Sequence, residues 1–255
     1  MKLAAALLPL LAPGANVVAF VGGGGKTSAL FRLAGALEAA GSRVLVTTTT
    51  HLLDPRLEDF RPALEVLVCP DLEAPPGEAV LPLARPGVTV LLSREAEAPG
   101  KMKGIHPGWV PALARLWDFV LVEADGAKGL PVKAPAPHEP VLPPGPVLVV
   151  GVVGLDCLGS PMGARTVHRP EHFGALTGCA PGEAIAWKHL AALASHRAGL
   201  FKGATGPRAL LLNKADRAQT LPGEAQLADL PVDRILLGSL EPLERVMVLE
   251  RSRLS

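Results

Sequence analysis

Residues 17–21 form a continuous apolar run, and Gly22-Gly23-Gly24-Gly25-Lys26-Thr27 follows it directly. Nothing else in the chain narrows its fold as much. Glycines permit φ > 0 and let consecutive backbone N–H groups converge on one point. Beyond them Leu30, Leu33, Ala34 and Leu37 fall at i, i+3, i+4 and i+7, and Gly41 sits where helices commonly stop. Residues 27–40 are therefore predicted to be an amphipathic helix. A buried strand, a glycine turn and a helix in that order aim the positive end of the helix at phosphate oxygens. Lys26 then reaches the β- and γ-phosphates, and the Thr27 hydroxyl helps to hold Mg²⁺, with Ser28 beside it in the first turn. The full Walker spacing requires glycine at position 20, which is Phe20; the compact Gly-x-x-Gly-Lys-Thr form remains.

The rest of the chain repeats the alternation of strand and helix. Residues 16–21, 43–47, 64–68, 88–92, 119–123, 147–153, 208–212 and 234–237 read as strands. They are unbroken apolar runs, as strands covered on both faces should be. Residues 107–117 and 181–196 read as further helices. The pattern predicts an α/β fold with a doubly wound, mainly parallel sheet of P-loop NTPase type, its ligands at the carboxyl ends of the strands. The chain reads as one domain over residues 1–255. Residues 131–146, rich in proline, interrupt the rhythm and are expected to form a fixed surface loop beside the site.

Two further strand ends carry chemistry. Residues 119–126 are an apolar strand that ends in Glu123, Ala124, Asp125 and Gly126. A triphosphate site needs an acidic group at a strand tip to hold Mg²⁺ directly or through water, or to orient an attacking water. Glu123 and Asp125 are the catalytic candidates together with Lys26; Thr27 and Asp125 are the metal candidates. After the strand at 208–212 comes Asn213-Lys214-Ala215-Asp216. Asn-Lys-x-Asp is the guanine-reading element of GTPases, in which the Asp carboxylate accepts from the ring N1–H and the 2-amino group. Gly22, Gly23, Gly24, Gly25, Lys26, Thr27, Ser28, Asn213, Lys214 and Asp216 thus form the expected nucleotide set. GTP is favoured, and ATP is the alternative.

Composition removes several function classes. A net charge of +1 supplies no basic field for a polyanionic polymer, and the absence of Tyr removes the usual base-stacking platform, so no nucleic-acid partner is expected. Cys69, Cys157 and Cys179 are few and far apart, which fits reduced cytoplasmic thiols and no disulfide framework. His51, His106 and His172 lack ligand spacing, and no zinc site is expected. Lys2 and the apolar residues 3–12 look superficially like a signal peptide, but cleavage after Ala12 or Ala15 would fall against the first strand. Residues 1–14 are instead expected to be a short leading helix closed by Pro13-Gly14. No apolar run is long enough for a membrane span.

The chain also resembles the YqeC family, described as selenium-dependent hydroxylase accessory proteins. The resemblance covers residues 5–240. It is carried by the glycine loop, Val46-Thr-Thr-Thr-Thr-His51, Val122-Glu-Ala-Asp-Gly126 with Lys128, Pro131-Val-Lys-Ala-Pro135, His138-Glu-Pro140, His168-Arg-Pro-Glu171 and Asn213-Lys-x-Asp216. It implies a P-loop accessory factor whose partner is a molybdenum hydroxylase or its cofactor. Within these segments Thr48 and Thr49 can offer hydroxyls to phosphate, Mg²⁺ or a second substrate. Lys128, Lys133 and His138 can line an anionic acceptor site, and Arg169 can bind phosphate or mark a helix start. Lys101 and Lys103, in a Pro-Gly-Lys-Met-Lys-Gly loop, carry a weaker expectation of the same kind. Three readings follow: a Mg²⁺-dependent NTPase in maturation, an ATP-dependent transferase or ligase acting on a small anionic acceptor, and a non-catalytic nucleotide-gated carrier or scaffold.

Overall fold

A computed structural model describes residues 2–57, 64–69, 86–97, 99–241 and 244–249. In the first half of the chain the strands are β1 (Val17–Gly22), β2 (Arg43–Thr48), β3 (His51–Leu53), β4 (Leu64–Val68), β5 (Gly87–Leu92), β6 (Lys101–Lys103) and β7 (Phe119–Glu123). The second half adds β8 (Val132–Lys133), β9 (Val147–Gly154), β10 (Val167–His168), β11 (Arg208–Asn213), β12 (Arg234–Ser239) and β13 (Arg245–Leu249). The helices are α1 (Leu3–Leu7), α2 (Lys26–Ala39), α3 (Val110–Leu113), α4 (Pro170–Thr177), α5 (Trp187–Ser195) and α6 (Glu224–Ala228).

Among the described residues nine strands form one sheet in the order β13-β12-β11-β9-β1-β7-β2-β5-β4. All pairings are parallel except β12 with β13. The glycine-bearing β1 therefore lies at the centre, flanked by β9 and β7. Its side chains alternate between two cores: Val17, Ala19 and Val21 join Leu193, Phe173 and Trp117 on one face, while Val18 and Phe20 join Leu30, Leu33 and Leu37 of α2 on the other. Each such leucine, fully withdrawn from water, stabilises the fold by about 2 kcal/mol before entropy is counted. This double cover explains why the strands read as unbroken apolar runs.

Every predicted strand is present to within two residues. The leading helix is α1, continued by a 3₁₀ turn at Leu8–Leu10. The predicted helix at 107–117 is shorter, a 3₁₀ turn at Pro107–Trp109 followed by α3. The one predicted at 181–196 begins only at Trp187, because Ala186 is extended and Ala184 pairs with Pro161. The stretch 131–146 also differs from expectation. Val132, Lys133, Ala134 and Ala136 are buried, and β8 pairs with β10. Its first half is an interior wall as far as Ala136, and the exposed positions are Pro137, His138, Pro144, Gly145 and Pro146. No helix among the described residues is long and apolar enough to cross a membrane. Pro70 and Asp71, which follow Cys69, lie outside the described residues.

Candidate functional site

The loop between β1 and α2 is held by its own neighbours. The Gly23 N–H donates to Val152 O and the Gly24 N–H to Leu130 O, both at 2.9 Å. The Gly22 N–H donates to the Asp125 carboxylate at 3.1 and 3.2 Å. These three amides set the shape of the turn. The amides of Gly25, Lys26, Thr27 and Ser28 have no partner among the described residues. They are the open donors of the first turn of α2, gathered where the helix dipole is positive.

Two acidic groups face this turn from the end of β7, and the structure separates their roles. Thr27 Oγ1 donates to Glu123 Oε2 at 2.8 Å. Asp125 instead accepts from Gly22 N–H and stands 3.2 Å from Lys26 Nζ, which also donates to Gly22 O at 2.6 Å. The strand ends at Glu123, so its side chain keeps the pleat's direction toward α2. Asp125 lies beyond the strand and turns under the loop. Glu123, not Asp125, therefore faces the Thr27 hydroxyl, whereas the sequence reading paired Asp125 with Thr27 as metal candidates. Burial raises the Glu123 carboxyl above its ordinary range, against the pull of Lys26 and the Thr27 hydroxyl.

Asp125 belongs to a row of alternating charges. Lys133 Nζ, buried, lies 3.2 Å from Asp125 Oδ2 and 2.8 Å from Glu139 Oε2. Glu139 in turn pairs with Arg169, through Nη1 to Oε2 and through Nη2 to Oε1 at 3.2 Å. Arg169 has φ 65° and immediately precedes α4, which opens with Pro170. Burial lowers the Lys133 ammonium below its ordinary range. Burial opposes the Glu139 charge as well, but Lys133, Arg169 and the Ala136 N–H outweigh it and hold the carboxyl at about 2. The folded state thus binds fewer protons than the unfolded chain as pH falls from about 4.5 toward 2. Stability is fully present above that window and is lost on descending through it. Screening by nearby solvent limits the effect to about 1–2 kcal/mol. Glu139→Gln is expected to flatten the acid limb of urea-unfolding free energy against pH, and an unchanged slope would remove Glu139 from that role.

The Asn213 segment closes the other side. Asn213 Nδ2 donates to Gly24 O at 2.8 Å, and its Oδ1 accepts from Leu240 N–H at 3.1 Å. A Cβ on Gly25, whose φ is 118°, would lie 2.5 Å from Asn213 Nδ2. Lys214, at φ 61°, pairs with Asp156 Oδ2 at 2.8 Å. The Asp216 N–H donates to Ser239 Oγ at 3.1 Å, and the Ser239 hydroxyl donates back to Asp216 Oδ1. The exposed Asp216 carboxylate is thereby oriented at the mouth of a groove of about 800 Å³ that also includes Leu221, Gly238 and Arg245.

Other expected residues are placed differently. Thr48 donates its hydroxyl proton to Glu123 O and Thr49 to Val141 O, both at 2.7 Å. They tie strand ends together and have no proton left for a ligand. His138 is exposed and stands outside the row that includes its neighbour Glu139. Lys128, at φ 52°, is also exposed. Sequence reasoning did not single out Glu139, Asp156 or Ser239. Glu139 sits inside the His-Glu-Pro segment, and Ser239 is a small hydroxyl at the end of the strand after Asn-Lys-x-Asp; both signals were present in the sequence.

A family model for the YqeC protein matches residues 18–171, from β1 through the start of α4. The chain belongs to the YqeC family. It is 38% identical over 192 residues to the uncharacterized protein YqeC of Escherichia coli strain K12, covering 73% of this chain and 70% of that protein. No solved structure matches it significantly. The matched region holds the glycine loop, Glu123, Asp125, Lys133, Glu139 and Arg169, so the charged row lies within the part that defines the family.

Elsewhere, Cys179, Glu183 and His189 place their ligand atoms within 4.8 Å of one another. The Ala186 N–H donates to His189 Nδ1 at 3.1 Å, which leaves the ring proton on Nε2, 3.4 Å from Glu183 Oε1. That nitrogen has no lone pair to give a metal. Burial, helped by Glu183, raises the Cys179 thiol, so its thiolate is disfavoured too. Capping of α5 accounts for the cluster. Burial likewise pushes the Cys157 thiol up to about 12.

Proposed function

We propose that this protein is a P-loop nucleoside-triphosphate-binding protein that takes Mg²⁺-GTP in preference to Mg²⁺-ATP and hydrolyses it in support of a partner. The four open amides at residues 25–28, converging beside Lys26, carry this reading. A polyanion is the ligand class that such an array of donors recognises. Lys26 leaves Gly22 O and Asp125 to meet the β- and γ-oxygens, while Asp125 keeps Gly22 N–H and Lys133.

Thr27 Oγ1 and the Glu123 carboxylate are hard oxygen donors already 2.8 Å apart, and this donor set suits Mg²⁺. When bound there, the ion would neutralise charge on the terminal phosphates. Glu123, freed of any proton it carries in the ligand-free protein, holds the metal side of the site and orients a water. Asn213 fixes the base-side wall to the loop through Gly24, and Ser239 holds Asp216 ready for the guanine N1–H and 2-amino group. The resemblance to hydroxylase accessory proteins suggests a molybdenum hydroxylase or its cofactor as the partner served.

Calorimetric titration with Mg²⁺-GTP and Mg²⁺-ATP tests the reading directly. Saturable binding of a triphosphate is expected, with GTP the tighter. Asp216→Ala should weaken GTP by roughly tenfold or more, since two hydrogen bonds to an ionised acceptor are lost, and should leave ATP nearly unchanged. Equal loss for both nucleotides would reject the guanine assignment, and no binding of either would reject the site.

A further inference from the structure

A second cleft, of about 520 Å³, opens beside the charged row. Its walls come from the end of the threonine run, from Ala96 and Glu97 with β6, from the turn after β7, and from the segment from β8 to β10. Lys101 and Lys103 reach it from β6, which pairs antiparallel with β3 and so brings them beside His51. Lys128 comes from the opposite wall, together with His168. Three cations and two imidazoles thus meet in one concavity although they are drawn from residues 51 to 168. Gly126 also lines it, next in sequence to the Asp125 that holds Lys26 and Gly22 N–H.

The charge balance inside the cleft is uneven. Glu97 and Glu139 are its acidic members, and Glu139 is already matched by Lys133 and Arg169. Among the described residues none of Lys101, Lys103 and Lys128 has a carboxylate within 4.0 Å. Like charges held in one pocket without counter-ions repel one another, and an anion relieves that repulsion.

We propose that this cleft binds a small, multiply charged anion, held by Lys101, Lys103 and Lys128 with His51 and His168 as hydrogen-bonding partners. Its volume of about 520 Å³ lies within the range of small-molecule sites, which suits a compact ligand. His168 agrees with this picture: burial, then the cations Arg169, Lys133 and Lys128, lower its pKa to about 4. The imidazole is neutral at physiological pH, free to donate from one nitrogen and accept at the other, and it senses the positive field. The cleft adjoins the loop through Gly126, so the bound anion is placed as a second ligand beside a triphosphate. That relation rests on the reading above, whereas occupancy of the cleft does not.

Pyrophosphate and citrate, titrated separately into the full chain, test the proposal. The signals of His51 and His168 are followed by long-range ¹H–¹⁵N NMR and assigned with His51→Gln and His168→Gln. Saturable shifts at both rings are expected, with the His168 pKa moving upward as the anion offsets the cations. Tighter binding of pyrophosphate would mark a phosphate-bearing ligand, and of citrate a polycarboxylate. The combined K101Q/K103Q/K128Q substitution should weaken either probe at least about tenfold, and Lys128→Gln alone, on an exposed turn, at least about threefold. Lys188→Gln, an exposed cation of α5 outside the cleft, should change the affinity read at the two rings less than about twofold, and because the readout is at these rings the test is independent of nucleotide binding at the glycine loop. Absence of saturation at both rings, or an affinity untouched by Lys128→Gln and by the triple substitution, would overturn the proposal.

Discussion

Lys26→Met is expected to weaken Mg²⁺-triphosphate binding at least about a hundredfold while leaving the unliganded protein folded. The Lys26 ammonium rests on Gly22 O and Asp125, and each charge-assisted hydrogen bond it would give a phosphate at the open amides of residues 25–28 contributes about 1.5–3 kcal/mol. The fold survives because Asp125 keeps two other partners, the Gly22 N–H and Lys133. Thermal unfolding separates the two effects. At a ligand concentration a hundred times the wild-type Kd, binding adds ~2.7 kcal/mol to the wild type and only ~0.4 kcal/mol to the variant. For a chain of this length that is roughly 5–10 °C against about 1 °C. A variant whose melting temperature still rises as far as the wild type's would show that Lys26 does not touch the phosphates.

Gly24→Ala should produce the largest loss of stability of any single methyl addition in the loop. Gly24 has φ 77°, and a Cβ there would lie 2.1 Å from Gly154 N and 2.6 Å from Pro131 O. Both obstacles are backbone, so no rotamer change relieves them, and the loop itself must move. The expected cost is at least about 4 kcal/mol, or roughly 8–16 °C in melting temperature. Gly126→Ala is the control. It sits near the same site, but a Cβ there meets no atom within 4 Å, and the expected change is below about 1 kcal/mol. Equal melting temperatures for the two variants would show that the tight approach of β9 and the Pro131 segment is not what shapes the turn.

The strands were legible in the sequence for a simple physical reason. A central strand of a parallel sheet is buried on both faces, so β1, β7 and β9 appear as unbroken apolar runs. The short pairs β8–β10 and β3–β6 carry no such pattern. Two or three residues have no period, and their partners lie about thirty-five to fifty positions away. The edge strand β13 alternates over only five residues and pairs antiparallel, so it also escaped notice. At the site, the glycine loop was readable because strand, turn and helix are consecutive. The division of labour between Glu123 and Asp125 was not, since it depends on where the pleat stops. Lys101 and Lys103 looked like solvated loop residues until β6 was laid against His51. Pairings of that kind are decided by tertiary packing and leave no local trace.

The row from Lys26 through Asp125, Lys133 and Glu139 to Arg169 has a consequence for how the family can vary. Cations occupy both termini and the centre, and each carboxylate is gripped from two sides. Losing Lys26 or Arg169 leaves each anion with at least one counter-charge, so the fold tolerates either loss even where ligand binding does not. Losing Asp125 would leave the buried Lys26 and Lys133 facing each other with no carboxylate between them, and losing Glu139 would do the same to the buried Lys133 and the partly exposed Arg169. Within the row, Asp125 and Glu139 should therefore be the positions whose loss costs the fold most.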